Sequence, residues 1–274
     1  MQVHRFGGMG TVIELLLDAP ENSRADRALA AAEHEFHRLE DVLTRFRPDS
    51  ELSRLNAIGQ LDAGPDLLRV VELALAARER TAGRFDPTVH DAVVAAGYDR
   101  TFASVAPDGP DVSFRAGARC GGGVEIEHGT IRLERDVRLD LGGIGKGYAV
   151  DRACELLGLA GPCLVNAGGD LAVRGGAWPI AVPDGPTLEL SSGALATSGR
   201  DRRRWRRGGE ERHHLIDPET ALPAEGPLLR VTVVAATATE AEVLAKAAFL
   251  GAEVDAPRVL VMADGTVVLA GGLA

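Results

Sequence analysis

No window of the sequence supplies about 18 uninterrupted apolar residues, so no segment reads as a bilayer-spanning helix. A secretory signal is missing from the start as written, because the apolar residues of MQVHRFGGMGTVIELLLDAPE alternate with polar ones and Glu14 interrupts them. The expectation is a cytoplasmic protein with no membrane insertion. Cysteine is scarce: Cys120, Cys154 and Cys163 are odd in number and show no C-x-x-C spacing. Neither a disulfide framework nor a thiolate zinc site is indicated, and the three read as buried thiols. Positive charge is also in deficit, with 30 Lys and Arg against 40 Asp and Glu and a net charge of −10. That balance opposes a grip on a phosphate backbone, which needs a broadly basic face, so nucleic acid is not an expected partner. Lysine is scarcer still, since only Lys146 and Lys246 occur and the other 28 basic residues are arginines. What is present is a chain of 274 residues, 45% hydrophobic and 26% charged, with a composition that excludes both disorder and membrane bulk. Its length allows a substantial core.

Residues 9–18 are aliphatic and β-branched and predict a strand, and residues 23–45 carry apolar positions at helical spacing after Ser23, a candidate N-cap. A second helix is predicted from Pro65 to about Arg80, and a short third one after Asp86-Pro87, where proline suits a first helical turn. Residues 101–123 read as loop. Val124–Glu127 and Thr130–Leu133 alternate about His128-Gly129 and predict a hairpin whose turn needs positive φ. A glycine-rich turn at 142–147 leads into a helix to about Leu157. Short strands then dominate until a helix at 238–250 and a final hairpin about Asp264-Gly265. Hairpins and separate helices, without regular βαβ alternation, predict an α+β fold.

The densest chemistry lies in Leu139–Asp151, LDLGGIGKGYAVD. Glycines let backbone N–H groups approach a ligand and a helix N-terminus is electropositive, so this is a candidate phosphate or oxyanion site. It is no Walker A, which needs Ser or Thr where Gly147 stands, and no dinucleotide G-x-G-x-x-G, which would need Gly or Ala where Tyr148 stands. The bland alternative is a tight turn with one surface lysine. Asn166–Asp170 (NAGGD) alone means only a turn. Thr197 and Ser198 offer hydroxyls to a phosphate or close a strand. His214, before the Asp217-Pro218 turn, is a candidate general base or a solvated histidine. Arg200–Arg207 holds six arginines around Trp205 and reads as an exposed hairpin, Glu210 and Glu211 following it. His34 and His37 have a metal-compatible spacing, but Glu33 and Glu35 beside them suggest a solvated face.

Together these segments resemble the ApbE family of FAD:protein FMN transferases. The likeness runs in order through Met9-Gly10-Thr11, Arg47–Asn56, Gly83–Val89, Asp140–Asp151, Asn166–Asp170, Thr197–Gly199 and His214–Pro218, over most of the chain. Each motif is weak alone, and seven in family order are specific. The resemblance implies one ApbE-like, T-fold-related domain over residues 1–274, with antiparallel sheets and packed helices. It implies that FAD is bound, that its pyrophosphate is cleaved, and that FMN passes to a Thr or Ser hydroxyl of an acceptor protein as AMP leaves; some members hydrolyse FAD to FMN and AMP. By that likeness Met9, Phe46, Phe85, Asp86, Asp140, Gly143, Lys146 and Thr197 bind FAD and His214 acts on the reacting phosphate; Lys246 joins it as a catalytic candidate through a departure from the family pattern. Phe46 stands where the family often has Tyr and keeps only the stacking face. The alternative reading is a relative that retains FAD as holder, sensor or redox cofactor.

One departure concerns Mg²⁺. The family usually reads Ala-Asp-x-x-x-Thr in the late helix, the Asp and Thr joining a backbone carbonyl of the glycine turn, here that of Gly143, as metal ligands. This chain has Ala241-Glu242-Val243-Leu244-Ala245-Lys246. Glu242 keeps a carboxylate, but Lys246 puts an ammonium where a ligand oxygen belonged, and a cation does not ligate a cation. Two expectations follow: Lys246 stands in for Mg²⁺ with Glu242 as its partner, or the two form an i, i+4 helix salt bridge worth ~0.2–0.5 kcal/mol and the metal site is lost. Ala221, where the family often has Gly, is expected to alter only local backbone freedom.

Overall fold

The computed structural model describes residues 1–110 and 119–273. The chain opens with strands β1 (Gln2–Gly8) and β2 (Thr11–Leu17), followed by helices α1 (Ser23–Leu43) and α2 (Glu51–Ile58). Next come β3 (Gln60–Asp62), α3 (Pro65–Arg80), α4 (His90–Ala95), β4 (Asp108–Gly109), β5 (Val124–Glu127), β6 (Thr130–Leu133) and α5 (Gly145–Gly158). The second half holds β7 (Cys163–Ala167), β8 (Asp170–Ala181), β9 (Thr187–Gly199), β10 (Arg204–Arg207), β11 (Glu210–His213), β12 (Ile216–Asp217) and β13 (Leu222–Pro223). It closes with β14 (Leu228–Ala235), α6 (Ala238–Phe249), β15 (Arg258–Met262) and β16 (Val267–Ala270).

An eight-stranded antiparallel sheet, ordered β1-β2-β7-β8-β9-β14-β15-β16, organises the molecule. Its two-residue period sorts side chains between two cores. Ile13, Leu15 and Leu17 of β2 and Val165 and Ala167 of β7 point to the helical side, where Phe36 and Leu39 of α1, Val150 and Leu157 of α5 and Ala241 and Ala245 of α6 cover them. Leu164, Val173, Trp178, Ile180 and Val259 form a separate cluster containing the intervening β7 residue. A third cluster joins Val93 and Ala96 to Tyr98, Trp205, Ile216 and Ala221, with Phe46 and Phe102 packed on it. Among the described residues no helix is long and apolar enough to cross a membrane.

The α+β expectation holds, with four differences of detail. The chain opens with a hairpin, because Met9 (φ 49°) and Gly10 (φ 71°) turn β1 back onto β2; β1's alternation of half-buried and exposed residues hid a strand in a polar-looking segment. Asn22, one residue before Ser23, caps α1 by accepting from the N–H groups of Arg24 and Ala25 at 2.9 and 3.1 Å. Pro87 precedes α4 instead of entering it. The loop expected at 101–123 contains a short 3₁₀ turn at Phe102–Ser104 and β4, and part of it lies outside the described residues. The hairpin about His128 (φ 51°) and Gly129 (φ 85°) forms with the predicted positive φ values.

Helices α5 and α6 meet at their backbones. A β-carbon on Gly147 would lie 2.4 Å from the carbonyl oxygen of Ala238 and 2.8 Å from Cα of Thr239. Asp151 fastens the same junction, accepting from the N–H groups of Ala238 (2.7 Å) and Thr239 (2.9 Å) at the start of α6. Gly147 is thus needed for packing as well as for its place in the glycine turn. Gly147→Ala is expected to destabilise the protein by about 1–3 kcal/mol through overpacking against rigid backbone. A denaturant midpoint equal to that of the parent protein would refute this.

Candidate functional site

Two cavities lie side by side where the glycine turn, α6 and the 200–214 segment converge. The first, of about 240 Å³, is lined by Met9, Leu43, Phe46, Tyr98 and Phe102 on its apolar side. Arg45 forms part of its wall: the guanidinium lies 4.3 Å from the ring centre of Phe46 and 4.8 Å from that of Tyr98, and donates to the Tyr98 carbonyl at 2.7 Å. Its Nε meets Asp140 Oδ2 at 2.7 Å, both side chains being at most 10% exposed. Asp140 Oδ1 accepts from Gly142 N–H at 2.7 Å, so one carboxylate fixes both the arginine and the glycine turn. Burial pushes the Asp140 carboxyl up, but Arg45, Lys246 and the Gly142 N–H outweigh it and leave the acid below its ordinary range.

The second cavity, of about 130 Å³, is polar and lined by Gly143, Asp170, Thr197, Ser198, Arg202 and Glu242. The two share Gly142, Lys146, Arg203, His214 and Lys246, which therefore form the seam between them. At this seam the two lysines are in opposite situations. Lys146 Nζ is bonded to Asp170 Oδ2 and lies 2.8 Å from Glu242 Oε1, while Glu242 Oε2 accepts from Gly147 N–H at 2.8 Å. Burial works against the Lys146 charge, yet the two carboxylates hold its pKa up at about 12. Burial and the neighbouring Asp170 push Glu242 upward in turn, as expected for two acids sharing one ammonium.

Lys246 is half-buried, and its ammonium makes no hydrogen bond or ion pair among the described residues. Its side chain lies on the bare α-carbon of Gly143: a β-carbon there would sit 2.4 Å from Nζ and 2.9 Å from Cδ and Cε. Burial lowers its pKa, Lys146 and Arg203 add to that, and Asp140 and Glu242 oppose it. His214 is the other incomplete group. Its Nδ1 is buried with no partner among the described residues, while the ring bonds to the Arg203 backbone. Burial first, then the charges of Arg203 and Lys246, drive its pKa well below 6.5, so the imidazole is neutral at pH 7.

The structure brings together Met9, Phe46, Asp140, Gly143, Lys146, Thr197, His214, Glu242 and Lys246 on the two cavities. It places Phe85 and Asp86 elsewhere. Phe85 is only 2% exposed and belongs to the main core, with Lys246 Nζ 5.9 Å above its ring. Asp86 is turned onto its own loop, where Oδ1 accepts from Thr88 N–H (2.8 Å) and Oγ1 (2.7 Å) and Oδ2 lies 3.3 Å from Arg78. Neither residue lines either cavity. Thr197 Oγ1 shares a hydrogen bond with Thr232 Oγ1 at 2.8 Å at the edge of the second cavity.

Arg45, Tyr98, Phe102, Asp170 and Arg203 are site residues that their roles in sequence did not single out. Asp170 stood in a quoted glycine turn, and Arg45 adjoins Phe46. Arg203 was masked by the expectation of an exposed arginine hairpin; β10 and β11 do form a hairpin, but Trp205 is 2% exposed and donates its indole N–H to the Ala96 carbonyl at 2.8 Å. His34 and His37 are exposed, Glu35 beside them is buried against Arg38, and no group of three potential metal-binding side chains occurs among the described residues.

The donor set at the seam does not fit Mg²⁺. Glu242, the expected ligand, already has both oxygens bonded to Lys146 and Gly147, and the α-carbon face of Gly143 is covered by Lys246. The Glu242–Lys246 pair, expected as either a functional couple or a helix salt bridge, is not formed, because Lys146 takes the carboxylate. Ala221 has φ 57°, the left-handed conformation that glycine adopts freely, which agrees with a departure felt only in the local backbone.

Comparison with known proteins places these features in context. The profile of the ApbE family matches residues 9–269. An FAD:protein FMN transferase from Treponema pallidum is 31% identical over 263 residues, covering 81% of this chain and 71% of that protein. The FAD:protein FMN transferase of Rhodobacter capsulatus is 30% identical over 274 residues, and there this chain spans about half (52%) of the relative's length. Among solved structures, the ApbE protein of Thermotoga maritima superposes with a TM-score of 0.84 at 24% identity, covering 98% of this chain and 96% of that one. The flavin transferase ApbE of Vibrio cholerae gives a TM-score of 0.78 at 23% identity over the same shares.

Proposed function

The chain belongs to the ApbE family, and from that membership we propose that it binds FAD, cleaves the pyrophosphate and transfers FMN to a Thr or Ser hydroxyl of an acceptor protein. The observation that supports this reading most is the pairing, on one seam, of an unpartnered neutral imidazole and an unpartnered ammonium between an aromatic and a polar cavity.

In this reading the first cavity takes a flat ring, with Phe46 and Tyr98 offering faces and Arg45 holding them in place. The diphosphate lies across the seam, within reach of Lys246 and Arg203. His214 Nδ1 accepts the proton of the acceptor hydroxyl as that oxygen attacks the phosphorus of the FMN half. The bond from that phosphorus to the bridging oxygen breaks, and AMP leaves with the oxygen. The FMN phosphate becomes a phosphodiester on the side chain. With water in place of the hydroxyl the products are FMN and AMP. Positioning and charge neutralisation carry such a transfer, and here both tasks fall to side chains.

A second reading, a relative that holds FAD intact, is favoured by the donor set that does not fit Mg²⁺. Chromatography of nucleotides after incubation with FAD separates the two, run with Mg²⁺ and with EDTA, with and without added extract proteins as acceptors. FAD loss with AMP release, and flavin that stays on protein through denaturation, support transfer. FAD recovered whole in every arm overturns it and leaves the holder.

A further inference from the structure

We propose that the seam is a metal-free diphosphate site in which Lys246, laid on the bare α-carbon of Gly143, is the fixed cation, while Lys146 is withheld from ligand as a clamp between Asp170 and Glu242. The inference rests on the reading above for the identity of its natural ligand, though its chemistry concerns any diphosphate.

Lys146, the lysine of the glycine turn, has no charge to spare. It sits between two carboxylates that would themselves have offered oxygens to a cation, and so fills their need with a tethered ammonium. Arg45 and Asp140 cancel as a pair. Lys146 with its two carboxylates carries one negative charge in excess, and Lys246 with Arg203, which also lines both cavities, outweighs it by one positive charge. An excess of positive charge at a half-buried seam attracts an anion and repels a divalent cation. The same region is therefore closed to metal in two ways, by occupied carboxylates and by like charge.

The reach of Lys246 depends on Gly143. The side chain passes over that residue so closely that a single methyl there would overlap Nζ, Cδ and Cε at once. Gly143 is thereby a positioning residue, whose missing β-carbon gives the ammonium its place. The charged groups facing Lys246 are Asp140 from the glycine turn, Glu242 on its own helix, Lys146 on α5 and Arg203 before β10. The first two favour its charge and the last two oppose it.

The test uses the full chain freed of metal with EDTA and inorganic pyrophosphate, FAD and riboflavin as probes, followed by calorimetry or flavin fluorescence. The parent protein is expected to bind pyrophosphate and FAD in EDTA, with no tightening on adding Mg²⁺ and no stoichiometric binding of Mn²⁺ by electron paramagnetic resonance. Lys246→Met should weaken pyrophosphate and FAD by at least about tenfold and leave riboflavin within about twofold, since only the former two carry the charge that the ammonium meets. Gly143→Ala should reproduce that pattern with the lysine still present. Stoichiometric Mn²⁺ binding, loss of pyrophosphate binding in EDTA, or a Lys246→Met protein that binds pyrophosphate like the parent would each overturn the inference. Pyrophosphate binding that depends on Lys246 in a protein that ignores FAD would sustain it and defeat the flavin reading instead.

Discussion

Replacing His214 by glutamine is expected to lower the rate of AMP release from FAD by about 10²–10⁴-fold, the usual worth of a positioned general base. FAD affinity should change little, because a general base acts on a proton that leaves only during the reaction. The pH dependence carries the same assignment. A histidine whose pKa is driven well below 6.5 by burial, Arg203 and Lys246 stays neutral, and so competent as a base, throughout the neutral range. The acid limb of the rate profile should therefore lie below pH 6.5, with the rate falling as pH drops and His214 takes up a proton. The neighbouring His213 serves as control. Its Nε2 lies 3.0 Å from the Ala224 carbonyl and its Nδ1 accepts from Leu215 N–H at 3.3 Å, so both ring nitrogens are committed to the fold. His213→Gln should alter stability, and if it removed activity as fully as His214→Gln without unfolding the protein, the assignment of the base would be wrong.

The second large effect concerns stability. Lys146→Met removes the ammonium from between Asp170 and Glu242, two acids whose side chains are each 5% exposed. Breaking a buried pair by deleting one partner costs about 3–5 kcal/mol, because the remaining charge is stranded. For a chain of this size that corresponds to a fall in Tm on the order of 10 °C. Lys246→Met should behave in the opposite sense, leaving Tm unchanged or higher, since it deletes an ammonium that has no partner. The triple change Lys146→Met, Asp170→Asn and Glu242→Gln should restore most of the loss by removing the stranded acids together. Calorimetric melting of the three proteins decides the matter. Equal melting temperatures for the two single-lysine variants would show that the lysines do not divide their work as the geometry indicates.

Much of this was legible in the residues, and the reasons for the remainder are physical. Helices α3, α5 and α6 and the two later hairpins announced themselves by period, proline and paired turn residues. β1 did not, because a strand with His4 and Arg5 among its members carries no clean apolar alternation. In the site, glycine and turn motifs marked Asp140 and His214, and a departure from the family's late-helix pattern marked Lys246; the fold brings all three onto the first cavity. The partner of Glu242 was misread because i, i+4 spacing is visible in a sequence and a contact 96 residues away, to Lys146, is not. Asp86 and Phe85 were drawn into the site by the motif around them, although an Asp-Pro-Thr turn satisfies its own carboxylate locally. Arg203 was lost among six arginines, only the fold telling that Arg202 and Arg203 of the run reach the cavities and that Arg203 lines both.

The large sheet is a meander of its own strands, and the site is delivered by the chain's departures from it. The excursion between β2 and β7 brings Arg45, Phe46, Asp140 and Lys146; that between β9 and β14 brings Arg203 and His214; α6, crossing from β14 to β15, brings Glu242 and Lys246. During synthesis from the N-terminus these arrive far apart in time, and Lys146 has only Asp170 for a partner until α6 has emerged. Contacts of such long sequence separation form late, after their loops are closed. Competence for ligand is thus acquired only once α6 has emerged, and a product truncated before it would lack Glu242 and Lys246 at the cavities together with the α6 share of the main core.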